Sequence, residues 1–246
     1  MMRRLVAILL VAAMPAAWGA GGEQVPFEFD PNLGNQASLQ RGAKLFLNNC
    51  AGCHSLQYLR YNRMAKDLGI PEEILEDKLM LAGGEAHEHI VNSMPKAKAE
   101  EWFGKAPPDL SLVARSRGPD WIYSFLLTFY LDDSTATGVN NLVLPNTAMP
   151  HVLAPLQGYQ HYNADHGEET SGGHGGGGPD FELVREGRLS EAEYRRAVAD
   201  ITNFLTYAGE PAKLVRYGLG VKVIAFLLLF TALAWLLKRE YWRDVH

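Results

Sequence analysis

Apolar residues are distributed in two continuous runs at the ends of the chain and in periodic stripes between them. The first run lies in "MMRRLVAILLVAAMPAAWGA", where two arginines precede about ten apolar residues and then small ones. This is the layout of a secretory signal peptide over residues 1–20, with cleavage after Gly19 or Ala20. The run is too short to span a bilayer. The second, "YGLGVKVIAFLLLFTALAWLL" at 217–237, is 21 residues broken only by Lys222. As a helix rising about 1.5 Å per residue it covers roughly 30 Å, the thickness of the hydrocarbon layer. Lys222, near its start, can snorkel to the interface. Lys238, Arg239 and Arg243 follow, with Tyr241 and Trp242 as interfacial anchors. A transmembrane anchor over 213–237 is therefore expected, with the tail 238–246 in the cytoplasm and residues 21–212 exported.

Between the runs the pattern predicts helices joined by irregular segments. Residues 22–37 contain Pro, Gly and Asn without periodicity and predict an extended arm. Ser38 is placed to cap a helix from Leu39 to about Asn49, with Gly42, Leu45 and Phe46 on one face. "LQYLRYNRMAKDLG" predicts a helix ending at Gly69, and "PEEILEDKLMLAGG" another with Pro71 in its first turn. After a polar stretch at 85–101, the Pro-Pro-Asp of "APPDLSLVARSRG" predicts a turn, then a short helix. A strongly apolar helix follows from about Trp121 to Tyr130. Residues 132–165 read as irregular and the Gly/His-rich 166–178 as a low-complexity surface loop. His166 and His174 in that loop lack partners at metal-ligand spacing. The cleanest helix is "LSEAEYRRAVADITNFLTYAGEP". Ser190 and Glu193 form a capping box, Tyr194, Val198, Ile201, Leu205 and Ala208 a stripe, and Gly209 and Pro211 a stop. The expected class is mostly α, with no sustained alternation of strands.

Charge narrows the partners. The whole chain has 23 Lys and Arg against 28 Asp and Glu. Residues 21–212 alone carry 15 against 26, a net of −11. Such a body is a poor nucleic-acid binder and a good target for a basic protein.

The chemistry is concentrated in "CAGCH". Cys50 and Cys53 are the only cysteines, and His54 follows directly. A thioredoxin-like dithiol requires a strand before the motif and an α/β layout, neither of which is predicted. A structural zinc site requires a further ligand pair at short spacing, which is absent. A c-type haem requires only what is present: two cysteines, one for each vinyl group, and an adjacent histidine for the iron. Export to an oxidising compartment agrees. The sixth ligand is open from spacing. Met64 is too near His54, and Met80 reads as core. Met94 and Met149 each precede a proline, which holds backbone out of a helix. Met149, 95 residues beyond His54, fits well and Met94 tolerably. An open site, or a second histidine from His87, His89, His151 or His161, also satisfies the spacing.

Four blocks in order carry a resemblance: "CAGCHSLQYLRYNRM", "APPDLSLVARSRG" before an aromatic-rich helix, "NTAMPHVL", and a C-terminal anchor ending in "KREYW". Together they resemble the cytochrome c1 family, the haem subunit of the ubiquinol–cytochrome c oxidoreductase (bc1) complex, of bacterial type, over nearly the whole mature chain. The resemblance implies a class I c-type cytochrome core with loop insertions and one C-terminal transmembrane helix. It implies one covalently bound haem c, with His54 and Met149 as axial ligands. Pro107 or Pro108 then lies by the proximal histidine. Arg117, or secondarily Arg115, contacts a haem propionate, and Trp121 stands where the family often has tyrosine. The implied partners are the cytochrome b subunit, a Rieske iron–sulfur protein as donor, a cytochrome c acceptor and the lipid bilayer. The implied location is the bacterial inner membrane with the haem domain in the periplasm. Two other readings of the residues remain: a free-standing tethered c cytochrome donating to a terminal oxidase or reductase, and a haem catalyst such as a peroxidase with a displaceable ligand.

Overall fold

The computed structural model describes residues 25–81, 83–163 and 179–243. The signal-peptide reading of 1–20 and the Gly/His-rich segment 166–178 lie outside these residues. The body is built around two long helices, α1 (Gln36–Asn49) and, late in the chain, α8 (Glu191–Gly209). Between them in sequence come β1 (Leu56–Arg60), α2 (Tyr61–Leu68), α3 (Glu72–Ile74) with a π-helical turn over Leu75–Leu79, β2 (His89–Ile90) and α4 (Lys96–Phe103). Next are α5 (Val113–Ser116), α6 (Pro119–Leu127), β3 (Phe129–Leu131), β4 (Val139–Asn141), α7 (Ala154–Gln157), β5 (Gly158–Tyr162) and β6 (Phe181–Glu186). The last element is α9 (Lys213–Tyr241).

The α1–α8 crossing organises the core. Gly42 lets the backbones meet so closely that a Cβ there would lie 2.0 Å from the Asp200 carbonyl oxygen. Phe46 and Phe204, both fully buried, pack at 5.6 Å beside the crossing. A polar cluster seals its outer end. The Arg41 guanidinium grips Asp200 through Nε at 2.6 Å and Nη2 at 2.9 Å, the Ser38 hydroxyl donates to Asp200, and Asn203 donates to Ser38. The predicted stripe on α8 is buried throughout, and the Ser190–Glu193 capping box is formed.

Several boundaries differ from the sequence expectation, each for a local reason. The first helix starts at Gln36, because Asn35 and not Ser38 caps it; the Ser38 hydroxyl is committed to Asp200. Leu56–Arg60 is a strand, not helix. Its pairing with β2 is irregular between Leu56 and Arg60, so Leu56 and Leu59 are both buried and imitate helical spacing. Two of its backbone N–H groups are taken by side chains of the Pro-Pro-Asp block, Gln57 by Asp109 and Tyr58 by Ser111. The helix from Tyr61 does end at Gly69, which is left-handed at φ 63°. The apolar helix stops at Leu127, short of Tyr130. Its last carbonyls are claimed by side chains: Phe125 by Asn141, Leu126 by Tyr194 and Leu127 by Gln160. Phe129–Leu131 then pairs antiparallel with Val139–Asn141. The described residues thus hold three two-stranded antiparallel sheets, small additions to a mostly helical body.

The arm was expected to be extended, and residues 25–35 form no regular element. It is strapped to α6: Phe27 exchanges hydrogen bonds with Ser124, Phe29 N–H donates to Asp120, and the Phe29 ring stacks on Tyr123 at 4.8 Å. Helix α9 is 29 residues long with a mean hydropathy of 2.3 over its most apolar window, and its large apolar side chains from Leu219 onward are exposed. It is long and apolar enough to cross a membrane.

Candidate functional site

Helix α1 delivers the "CAGCH" motif. Its backbone bonds run out at Cys50, whose N–H still reaches Phe46 at 2.8 Å. The chain then coils once more, with the N–H groups of Cys53 and His54 both donating to the Cys50 carbonyl, at 3.1 and 2.9 Å. Both cysteines are therefore on one tight turn, unpaired with each other and half-buried. Burial, with a smaller contribution from Cys53, pushes the Cys50 thiol up to about 12. A redox dithiol depends on a depressed thiol, so this environment opposes that chemistry. No cluster of three His, Cys, Asp or Glu suited to a metal occurs among the described residues.

His54 is buried, and its Nδ1 donates to the Pro108 carbonyl at 2.8 Å. A proton fixed on Nδ1 leaves the Nε2 lone pair free, the arrangement that metal-ligating histidines share. Burial also holds the imidazole below its ordinary range, against opposing pulls from the Pro108 carbonyl and Asp109. The neutral ring, which is the ligating form, is thereby favoured. Of the two prolines expected beside it, Pro108 supplies the contact and Pro107 is its half-buried neighbour.

The backbone on either side of His54 is anchored from two directions. From the Pro-Pro-Asp block, Leu110 N–H donates to the Ser55 carbonyl at 2.9 Å, while Asp109 accepts from Gln57 and from Ser111. From the segment after β2, Asn92 donates its side-chain amide to the Cys53 carbonyl and its backbone N–H to the Ser55 hydroxyl at 2.9 Å. These supporting residues had no sequence signal beyond the Asp-Leu-Ser spacing after the two prolines.

The candidate sixth ligands differ in placement. Met64 and Met80 are buried core residues. Met94 is half-exposed, and His87, His89 and His161 are exposed. Met149 is half-buried and packed against the core, its N–H held by the Thr147 hydroxyl at 3.3 Å. His151, two residues on, stacks on Phe129 at 4.9 Å, and burial lowers it to about 4.

Trp121 lies flat on Phe125 at 5.0 Å with the Arg117 guanidinium 5.3 Å above its ring. Its Nε1 is buried without a hydrogen-bond partner among the described residues. Such a donor normally has an acceptor, so this position fits a carboxylate-bearing group beside it. The Arg115 stem lies against Gly209 at the end of α8.

A thioether-ready cysteine pair, an Nδ1-anchored histidine, a core-packed methionine and an orphaned indole N–H together fit a haem c. Comparison with known proteins places the whole chain in a family. The Cytochrome C1 family model matches residues 28–245. The chain is 49% identical to a cytochrome c1 of Allochromatium vinosum, covering 100% of both chains. It is 30% identical to a cytochrome c1 of Rhodospirillum rubrum, over 86% of this chain and 83% of the relative. It is also 39% identical to a protein named ammonia monooxygenase gamma subunit from Nitrosomonas europaea, over 99% of this chain and 100% of the other.

Proposed function

We propose a function on the premise that this chain belongs to the cytochrome c1 family, whose members carry haem c and transfer electrons in a bc1 complex. The chain is the anchored haem subunit of a quinol–cytochrome c reductase. It takes single electrons from a Rieske iron–sulfur protein and passes them to a cytochrome c. Cys50 and Cys53 would hold one haem through thioethers, and His54 and Met149 would ligate its iron. The signal segment directs residues 21–212 to the periplasm, and α9 holds them at the inner membrane beside cytochrome b.

The observation that carries this reading is the His54 Nδ1–Pro108 carbonyl bond directly behind the cysteine pair. When bound, the haem supplies the one-electron couple, and a thioether ligand raises its potential. The chain's own residues do the rest. Pro108 fixes the tautomer of His54 and holds one atom of its ring. The core packing of Met149 keeps its thioether at hand, and as second ligand it would close the iron to substrate. Asn92, tied to both neighbours of His54, holds the segment leading to Met94 beside the histidine, and Met149 on a separate segment would supply the second ligand. Trp121 Nε1 and Arg117 would hold a propionate. No side chain needs to act as acid, base or nucleophile.

The test is purification of the chain in detergent with its bound subunits, followed by a pyridine haemochrome spectrum that counts c and b haems. One c haem co-eluting with a b-type cytochrome and an iron–sulfur subunit is the expected result. A lone c haem protein would favour the free-standing tethered cytochrome. The likeness to an ammonia monooxygenase gamma subunit favours a second reading, a haem subunit of a monooxygenase complex, and co-elution with monooxygenase subunits would select it.

A further inference from the structure

Resting on the haem reading above, we propose that Asn92 is a positioning residue that sets the orientation of the His54 imidazole toward the iron. Its side-chain amide donates to the carbonyl of Cys53, and its own backbone N–H donates to the hydroxyl of Ser55 at 2.9 Å. One residue therefore grips the chain immediately before and immediately after His54. The remaining contacts on that stretch act at other points. His54 N–H reaches the Cys50 carbonyl at 2.9 Å, Leu110 N–H reaches the Ser55 carbonyl at 2.9 Å, and the Pro108 carbonyl holds Nδ1 at 2.8 Å.

The geometry explains why the grip affects the ring. A histidine side chain has two torsions, and the Pro108 carbonyl fixes only one ring atom. With Nδ1 held, any movement of the His54 Cα turns the imidazole plane about that contact and redirects Nε2. Asn92 suppresses this movement because its two bonds span the His54 backbone. Its own position is rigid: it follows β2, whose Ile90 is 1% exposed and pairs with Leu56. Half-buried Asn92 is thus locked to the core on one side and to the haem-binding turn on the other. Supporting groups of this kind, one bond removed from the ligand, change metal-site properties although they touch no metal.

A structural tie and a positioning residue make different predictions. In the full-length protein in detergent, Asn92→Asp keeps size and backbone N–H but removes the amide donor, and Asn92→Ala removes the whole side chain. Asn203→Ala serves as a control, since Asn203 joins the α1–α8 polar cluster away from the haem-binding turn. The readouts are the g-values of the ferric haem by electron paramagnetic resonance, the midpoint potential, and the thermal midpoint. Both Asn92 variants are expected to attach haem, with g-values and potential shifted from wild type. Asn203→Ala is expected to lower the thermal midpoint with g-values and potential unchanged. If Asn92→Ala accumulates no haem protein, Asn92→Ser takes its place with the same expectation. Unchanged g-values and potential in the Asn92 variants, with or without a lower thermal midpoint, would overturn the proposal and leave the haem reading intact. A wild-type protein without thioether-bound haem would overturn the parent reading itself.

Discussion

The Cα of Gly42 and the carbonyl of Asp200 approach so closely that a single added methyl would lie 2.0 Å from the oxygen and 2.8 Å from the Phe204 Cβ. Neither neighbour is the free end of a flexible side chain. Gly42→Ala must therefore push α1 away from α8, at a cost of at least about 1–3 kcal/mol, the usual range for overpacking. The same helix leads into Cys50, so the displacement carries into the Cys50–His54 turn. A lower denaturation midpoint together with reduced haem incorporation is the expected result, measured by thermal melting and haem-to-protein ratio.

Met149→Leu keeps a side chain of similar volume in a core-packed position and removes the sulfur. Covalent haem is expected to remain, since Cys50 and Cys53 are untouched. The midpoint potential is expected to fall sharply, because methionine ligation raises it. Reduced wild-type protein should bind carbon monoxide weakly and the variant strongly. A potential that does not move would redirect the assignment to Met94 or a histidine.

Trp121→Phe deletes the orphaned Nε1–H and keeps a ring that can stack on Phe125. No hydrogen bond among the described residues is lost, and the smaller ring on Phe125 and under Arg117 should cost about 0.5–3 kcal/mol. If a propionate accepts from Nε1, losing the donor destabilises its ionised form and raises its pKa. The pH above which the midpoint potential begins to decline should then shift upward. Redox titrations over a pH series measure this.

The body of residues 21–212 carries a net −11. Association with a basic acceptor should be steered over roughly one Debye length, about 10 Å at 0.1 M salt. The second-order rate of electron transfer to a basic cytochrome c is expected to fall steeply as salt rises, and the rate to a neutral acceptor to stay nearly flat. Stopped-flow kinetics across an ionic-strength series distinguish the two.

Much of the site was legible in the sequence because it is local. Cys50, Cys53 and His54 sit within five residues, and the turn that joins them is closed by bonds inside those five. The α8 capping box, its apolar stripe and the apolar run of α9 are likewise properties of single segments, readable from period and end signals. Tertiary structure decided everything that depends on which distant group reaches a backbone atom. Leu56 and Leu59 have helical spacing, yet Asp109 and Ser111 take the N–H groups of the residues between them and hold that stretch as a strand. The apolar helix ends at Leu127 because Asn141, Tyr194 and Gln160 claim its final carbonyls. The choice of Pro108, the grip of Asn92 and the orphaned Trp121 Nε1 have the same origin. A hydrogen bond is set by position in space, and residues up to 68 apart supply these partners. The order of residues therefore fixes the motif, and the packed fold fixes how the motif is held.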